Sequence, residues 1–213
     1  MVDIVKPSWE ILHFSHSPDE ILKFLELCAR TCYKSQDKIT EDSARKIINL
    51  IMTNKHESVI EHVSATVRFV SNRGFTHEIV RHRLASYSQE STRFVNYGKK
   101  DGGIAVIDPR PVYGWETESE LYQEWLCAME DAEHRYLQLL AMGAKPQQAR
   151  GVLPIDVKTE IVMTANIREW RHVFKMRCPR EAHPMMQYLM RPLLLEFSKR
   201  VPLIYDDLVE AFG

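Results

Sequence analysis

The chain has 213 residues, of which 45% are hydrophobic and 27% are charged, and its formal net charge is −1. This length suits one domain, so we predict a single domain spanning residues 1–213. The balanced charge argues against a global basic field for nucleic acid, and no apolar run approaches the ~20 residues of a membrane span, so neither partner is expected. Four cysteines without CxxC spacing, and an N-terminus without a signal-peptide core, favour a reduced cytoplasmic protein.

The N-terminal third predicts helices followed by a strand. A serine cap at Ser17, with proline next and Glu20 three residues later, indicates a helix start. A second helix is predicted after Thr40, and residues 58–61 carry a capping-box pattern typical of a short helical turn. Apolar and polar residues alternate over residues 63–69, which predicts a half-buried strand.

The remaining elements alternate irregularly. The predicted order is a strand break at 72–74, a helix over 75–82, a strand over 102–107, a long helix from Thr117 to Gly143, a strand over 158–165, a helix over 166–177 and a helix over 185–201. Pro192 should kink or break the last of these helices. This order favours an α+β fold, with a mixed or antiparallel central sheet flanked by long helices, over a doubly wound sheet.

Residues 81–94 form the most informative stretch, Arg-His-Arg-Leu-Ala-Ser-Tyr-Ser-Gln-Glu-Ser-Thr-Arg-Phe. It combines three arginines with serines, threonine and glutamine, and no lysine occurs between Lys55 and Lys99. Arginine offers a rigid fork of donors that matches phosphate and carboxylate oxygens. The stretch therefore indicates a site for an anionic, oxygen-rich ligand, and the alternative is a solvated polar loop after a helix.

The triplet Arg81-His82-Arg83, followed after seven residues by Ser91, resembles the signature of flavin-dependent thymidylate synthases. The resemblance implies reductive methylation of dUMP to dTMP, with 5,10-methylenetetrahydrofolate as one-carbon donor, FAD as hydride carrier and NADPH as reductant. It also implies a homotetramer whose active sites are built from several subunits.

Two further segments carry the resemblance, an Ala-Arg-x-x-Leu-Pro element around Arg150 and the segment 166–172. The residues that the resemblance assigns to dUMP are Glu78, Ile79, Val80, Arg81, Gln89, Glu90, Ser91, Thr92, Arg93, Arg150 and Arg177. Those that it assigns to FAD are Ser58, Arg81, His82, Arg83, Gln89, Asn166, Ile167, Arg168 and His172. It places His56 near flavin and folate.

Arg177 is singled out by helical spacing. Arg168 and His172 lie on one face of the predicted helix, whereas Arg177 closes an apolar stripe on another. A guanidinium there is costly unless it meets an acceptor, so we expect a specific partner. The alternative is an arginine that binds the last helix carbonyls. The resemblance makes Arg177 the catalytic residue that polarises uracil, without a nucleophilic role for Cys178.

Several assignments stay open at this point. The family pattern has glutamine where Glu78 stands, so Glu78 could instead pair with an arginine or accept from the nucleotide sugar. Ser58 could be a simple helix cap, and a lone histidine such as His56 is commonplace. His183 has no assigned role. Ser91 is interpreted as a hydrogen-bond donor, since no adjacent general base would make it a nucleophile.

Two other classes of protein can be weighed. A metallohydrolase is suggested by nine histidines, but His77 and His82 are five apart, which separates them by roughly 140° around a helix. We therefore expect no metal site. An RNA-binding module is suggested by arginines near Tyr87 and Phe94, but the net charge and the lack of a ribonucleoprotein motif argue against it.

Overall fold

The computed structural model of the chain describes residues 2–94, 97 and 103–213. The strands are β1 (Asp3–Val5), β2 (Ser8–Phe14), β3 (Ser64–Asn72), β4 (Ala85–Gln89), β5 (Ala105–Ile107) and β6 (Lys158–Asn166). The helices are α1 (Pro18–Tyr33), α2 (Ser43–Thr53), α3 (Arg73–Ile79), α4 (Arg110–Tyr113), α5 (Glu120–Ala141), α6 (Pro146–Ala149), α7 (Ile167–Arg177), α8 (Pro184–Arg200) and α9 (Asp206–Phe212). Short 3₁₀ helices lie at Gln36–Lys38, Glu57–His62 and Arg150–Val152.

The strands form a four-stranded sheet in the order β2-β3-β6-β4 and a separate parallel pair, β1 with β5. The N–H of Ile167 donates to the carbonyl of Val63, and Thr66 Oγ1 lies 2.9 Å from Thr164 Oγ1. Residue numbers rise along β3 as they fall along β6, so this central pair is antiparallel. The α+β prediction is confirmed.

The chain divides into two compact units. The first unit contains residues 1–9, 68–81 and 87–162, and the second contains 10–67, 82–86 and 163–213. The stretch 81–94 therefore contributes to both units. Among the described residues, no helix is both long and apolar enough to cross a bilayer.

The first unit packs around buried aromatic and aliphatic side chains. Tyr97 and Tyr136 lie with ring centroids 6.1 Å apart, and both belong to a cluster that includes Ile104 and Val106. Asp156 ties the unit together, because its carboxylate accepts from Asn72 Nδ2 at 2.7 Å and from Trp125 Nε1 at 2.9 Å.

The second unit packs around the buried face of α7. Trp170 is fully buried, donates from Nε1 to the carbonyl of Ala65 at 3.1 Å, and lies 5.1 Å from the ring of Phe197. Phe174, Phe197 and Tyr205 complete an aromatic cluster with edge-to-face contacts. This core holds α7 rigidly, and α7 carries several of the predicted site residues.

Most predicted helices and strands are confirmed, with shifted ends. The capping box before α1 is present, and the predicted helices correspond to α1, α2, α5, α7 and α8. The predicted helix over 75–82 is wrong at both ends, because Asn72 caps α3 and α3 ends at Ile79. At Pro192, where a kink or a break was predicted, α8 is not broken, since it runs from Pro184 to Arg200.

Some elements have no counterpart in the sequence predictions. They include the strands β1, β2 and β4 and the helices α4, α6 and α9. The polar stretch is not a simple loop, because residues 85–89 form an edge strand of the four-stranded sheet. Of the strand predicted over 102–107, residue 102 lies outside the described residues, and the strand itself is Ala105–Ile107.

Candidate active site

Helix α7 presents two different faces, as the spacing predicted. Arg168 and His172 are exposed, whereas Trp170 and Phe174 are fully buried. The side chain of Asn166 caps the helix, since its Oδ1 accepts from the N–H of Glu169 at 2.8 Å. The predicted flavin contact Asn166 is therefore already engaged as a helix cap.

Arg177 lies half-buried at the end of α7 and has the specific partner that its position requires. Its Nε donates to Nε2 of His82 at 3.1 Å. An accepting Nε2 carries no proton, so a neutral His82 has its proton on Nδ1, which lies 3.5 Å from Oε1 of Glu169. Burial, together with the nearby Arg177 and His172, lowers the pKa of His82 to about 4, so the neutral form is present at pH 7.

Glu169 lies beside His82 in the candidate site, and the sequence predictions did not name it. Only 6% of its surface is exposed, and burial raises the pKa of its carboxyl. Glu169 lies four residues before the buried Val173 and therefore on the same face of the helix. A carboxylate on a buried face needs a partner, and this spacing could have identified Glu169. Glu169, His82 and Arg177 thus form a continuous polar arrangement within the second unit.

His82, Glu169 and His172 also offer ligand atoms that lie within 4.8 Å of one another, which could suit a metal ion. A metal on Nδ1 of His82 would need that nitrogen to be unprotonated. A neutral imidazole keeps one proton, however, and Nε2 is accepting from Arg177. The observed hydrogen bond therefore argues against a metal at this position.

The other predicted flavin residues of the second unit are exposed. They are Ser58, Arg83 and Arg168, with His56 just before the 3₁₀ helix that contains Ser58. Ser58 is not the cap of that helix, because the helix begins at Glu57. Arg168 forms ion pairs with Glu61 and Glu57.

Two of the residues predicted to contact a ligand have buried side chains. Ile167 is fully buried, its N–H donates to Val63, and its carbonyl accepts from Tyr205 Oη at 3.0 Å. Ile79 is also fully buried, and its carbonyl accepts from Tyr87 Oη at 2.7 Å. Both side chains pack inside the described part of the chain, and the ligand contacts of these two residues stay predictions.

His82, a predicted flavin contact, is also buried. Its side chain is 4% exposed, one ring nitrogen accepts from Arg177, and the other faces Glu169. The ring is thus committed to its neighbours in the chain, which argues against a direct polar contact with flavin.

In the first unit, the predicted nucleotide residues lie at the end of α3, directly after it, and at and after the end of β4. Glu78 is half-buried, whereas Val80 and Arg81 are exposed. Gln89 is anchored, because its Nε2 donates to Thr76 Oγ1 at 2.9 Å.

Glu90 is tied into the first unit by several contacts. Its carboxylate lies 3.2 Å from Nζ of Lys158 and accepts from Tyr97 Oη at 3.2 Å, while its carbonyl accepts from Nη2 of Arg73. The carboxylate of Glu90 thus connects neighbouring segments of the first unit, and its negative charge would repel a phosphate. The sequence predictions missed both Lys158 and Arg73.

Two arginines that were predicted to bind an anion, Arg93 and Arg150, each contact a residue close to the other in sequence. Nε of Arg93 donates to Gln147 Oε1 at 3.2 Å, and Nη1 of Arg150 donates to Thr92 Oγ1 at 3.4 Å. Ser91 Oγ accepts from the N–H of Arg93 at 3.2 Å, which shapes the turn after β4. Both guanidinium groups belong to exposed residues, so they form a cationic surface to which an anion has access.

Comparisons with known proteins agree with these features. A sequence profile of the family described as "Thymidylate synthase complementing protein" matches residues 13–203. The flavin-dependent thymidylate synthase of Geobacter sulfurreducens is 32% identical, over 93% of this chain and 86% of that protein. The enzyme of the same name from Corynebacterium efficiens is 34% identical, over 86% of this chain and 78% of that protein.

A solved structure supports the fold. The crystal structure of a UMP/dUMP methylase, PolB from Streptomyces cacaoi, bound with 5-Br dUMP, matches with a TM-score of 0.80 and 22% identity, covering 100% of this chain and 98% of that chain. At this identity the likeness speaks for the fold alone. The profile and the sequence relatives lead to one conclusion: the chain belongs to the family of the flavin-dependent thymidylate synthases.

Proposed function

We propose that this chain catalyses the reductive methylation of dUMP to dTMP, with 5,10-methylenetetrahydrofolate as the one-carbon donor, FAD as hydride carrier and NADPH as reductant. The observation that carries the proposal is Arg177, whose guanidinium is fixed on a neutral His82 in a chain of this family. Forming a carbon–carbon bond at C5 of uracil requires electron density at C5 and stabilised charge on the ring oxygens. A fixed guanidinium supplies that stabilisation.

Phosphate binding is assigned to the arginines of the first unit. Arg93 and Arg150 are exposed and oriented by Gln147 and Thr92, so they can meet a phosphate with little further ordering. Ser91 would add a hydroxyl donor to the same nucleotide. Glu90 would support this segment through Lys158 and would not touch the phosphate.

The donor set of the second unit fits an anionic dinucleotide such as FAD. Arg83, Arg168 and His172 are exposed donors, and Arg168 would exchange its ion pairs with Glu57 and Glu61 for a phosphate. The bound flavin would supply hydride, which protein side chains cannot carry. The chain's own residues would bind and orient the two ligands.

A cysteine nucleophile is not part of the proposal. Cys178 is fully buried, and burial raises the pKa of its thiol to about 12 despite the nearby Arg191. A thiol that stays protonated at neutral pH is a poor nucleophile. Uracil activation is therefore assigned to Arg177.

The test is oxidation of the reduced flavin under anaerobic conditions. Purified protein should be yellow, and dUMP together with 5,10-methylenetetrahydrofolate should oxidise the reduced flavin and yield dTMP. Omitting either dUMP or the folate should abolish dTMP. A colourless protein, or a flavoprotein that makes no dTMP with all substrates present, would contradict the proposal. The homotetramer, the cytoplasmic location and the absence of nucleic-acid or membrane partners stay predictions.

A further inference from the structure

We propose that His82 and Glu169 are positioning residues that fix the guanidinium of Arg177 through a carboxylate–imidazole–guanidinium chain. The catalytic consequence of this inference rests on the proposed function. The contacts themselves do not, and they can be tested without any substrate.

The first link is the hydrogen bond from Nε of Arg177 to Nε2 of His82, at 3.1 Å. The Nε position lies inside the plane of the guanidinium group. A partner there restrains rotation of that plane, and hence the direction in which the two terminal amino groups point. A long side chain at the end of a helix would otherwise sample many rotamers.

The second link is an electrostatic contact and not a hydrogen bond: the carboxylate of Glu169 lies 3.5 Å from Nδ1 of His82. A carboxylate facing Nδ1 favours the tautomer with its proton on Nδ1, which keeps Nε2 as an acceptor. The opposite tautomer would place an N–H against the N–H of Arg177. Glu169 therefore acts on Arg177 through the tautomer of the ring.

Burial and chain connectivity make the arrangement rigid. His82 is 4% exposed and Glu169 is 6% exposed, so water competes little for these contacts. Glu169 and Arg177 sit on the same helix, α7, whereas His82 belongs to the segment between α3 and β4. His82 therefore links the segment between α3 and β4 to α7, at whose C-terminal end Arg177 lies.

The activity test compares three variants of the full-length enzyme. His82→Leu removes the acceptor, His82→Gln places an amide oxygen near the former Nε2, and Glu169→Gln keeps the shape but not the charge. We expect His82→Leu to lower kcat for dTMP roughly 100-fold, because misplacement of a catalytic group by about 1 Å has effects of that order. His82→Gln should recover part of that loss, and flavin content and KM for dUMP should change little.

The matched controls are His134→Leu and Glu124→Gln, which make the same substitutions at exposed positions of α5. Both should retain full activity. If His82→Leu does not fold, His82→Gln and the nearly isosteric Glu169→Gln decide the question. Equal activity of Glu169→Gln and wild type would contradict the role of the carboxylate.

A spectroscopic readout is independent of activity. In protein labelled with ¹⁵N at histidine and arginine, His82 should show the Nδ1–H tautomer at pH 7, and the Nε–H of Arg177 should exchange slowly. Glu169→Gln should shift the tautomer, and His82→Leu should speed the exchange. An unchanged exchange rate of the Arg177 Nε–H in His82→Leu would overturn the proposal. Stoichiometric zinc that wild type binds and Glu169→Gln does not bind would overturn it too. If the spectra agree but wild type makes no dTMP, the proposed function fails and the positioning chain stands.

Discussion

Neutral His82 affects the stability of the fold as well as the geometry of Arg177. Its pKa in the folded chain is about 4, below the ordinary value of 6.5. Between these values the unfolded chain binds more protons than the folded one, so the free energy of unfolding rises with pH across this window. Well above pH 6.5 both states carry a neutral His82, and this contribution is constant.

We predict that wild type loses about 3 kcal/mol of stability through this one group as the pH falls from 6.5 to 4, at about 1.4 kcal/mol per pH unit. His82→Gln has no proton to gain there and should lack this part of the pH dependence. Denaturant titrations of both proteins at several pH values would measure the difference, in which titrating groups distant from His82 cancel. Parallel curves for the two proteins would show that His82 titrates normally.

The need for a partner at Arg177 could be predicted from the sequence, but the identity of that partner could not. Helical spacing placed Arg177 beside an apolar stripe, and burying a guanidinium demands an acceptor. His82 is 95 positions away, and nothing local to either residue links them. The resemblance assigned His82 to flavin, whereas its burial and its two ring contacts give it a role inside the protein.

At the level of elements, the start of α3 depends on Asn72. Its Oδ1 accepts from the N–H of Phe75 at 2.8 Å, and its Nδ2 donates to Asp156 at 2.7 Å. Asn72 is buried and ends β3, so one side chain both stops a strand and starts a helix. The segment that follows leads directly into Arg81.

We predict that Asn72→Ala lowers the free energy of unfolding by about 2–3 kcal/mol, since it removes a cap and leaves a carboxylate oxygen without its partner. Ser119→Ala removes a cap at the start of α5 and the hydrogen bond from its hydroxyl to the carbonyl of Glu116, but no contact with a carboxylate, and should cost about 1 kcal/mol. Chemical denaturation of the two variants alongside wild type would measure both. Equal losses would mean that the contact with Asp156 adds nothing.

Long helices were predicted well, because their caps and apolar stripes are local features of the sequence. The capping box at Ser17 and the stripe of α7 fall into this class. The strands β1, β2 and β4 were missed, since each is short or largely polar and is defined by its neighbour in a sheet. Strand pairing is a long-range property, and one sequence does not reveal the register.

At the level of the whole molecule, the resemblance implies active sites shared between subunits of a homotetramer. We predict that Arg93→Ala and Arg177→Ala are each nearly inactive as pure proteins. Mixed oligomers formed by subunit exchange should regain a fraction of wild-type activity if these two residues reach one nucleotide from different subunits. An oligomer with a fluorescent label on one variant would confirm that exchange had occurred.

The control for this experiment is the pair Arg93→Ala and Arg150→Ala. Both residues lie in the first unit and touch neighbouring segments, so they should serve the same phosphate from one subunit. Mixing these two variants should restore no activity. Recovery of activity in the control pair would contradict sites that are shared in the predicted way. So would a lack of recovery when Arg93→Ala and Arg177→Ala are mixed and subunit exchange is proven.

The most direct measurement is dTMP formation by Arg177→Ala and Cys178→Ala, adjacent residues with opposite expected roles. Arg177→Ala should form no measurable dTMP while it retains bound FAD, because the base loses its activating guanidinium. Cys178→Ala should keep most of the wild-type rate, since the thiol is buried and protonated. A Cys178→Ala protein without activity beside an active Arg177→Ala protein would contradict uracil activation by arginine.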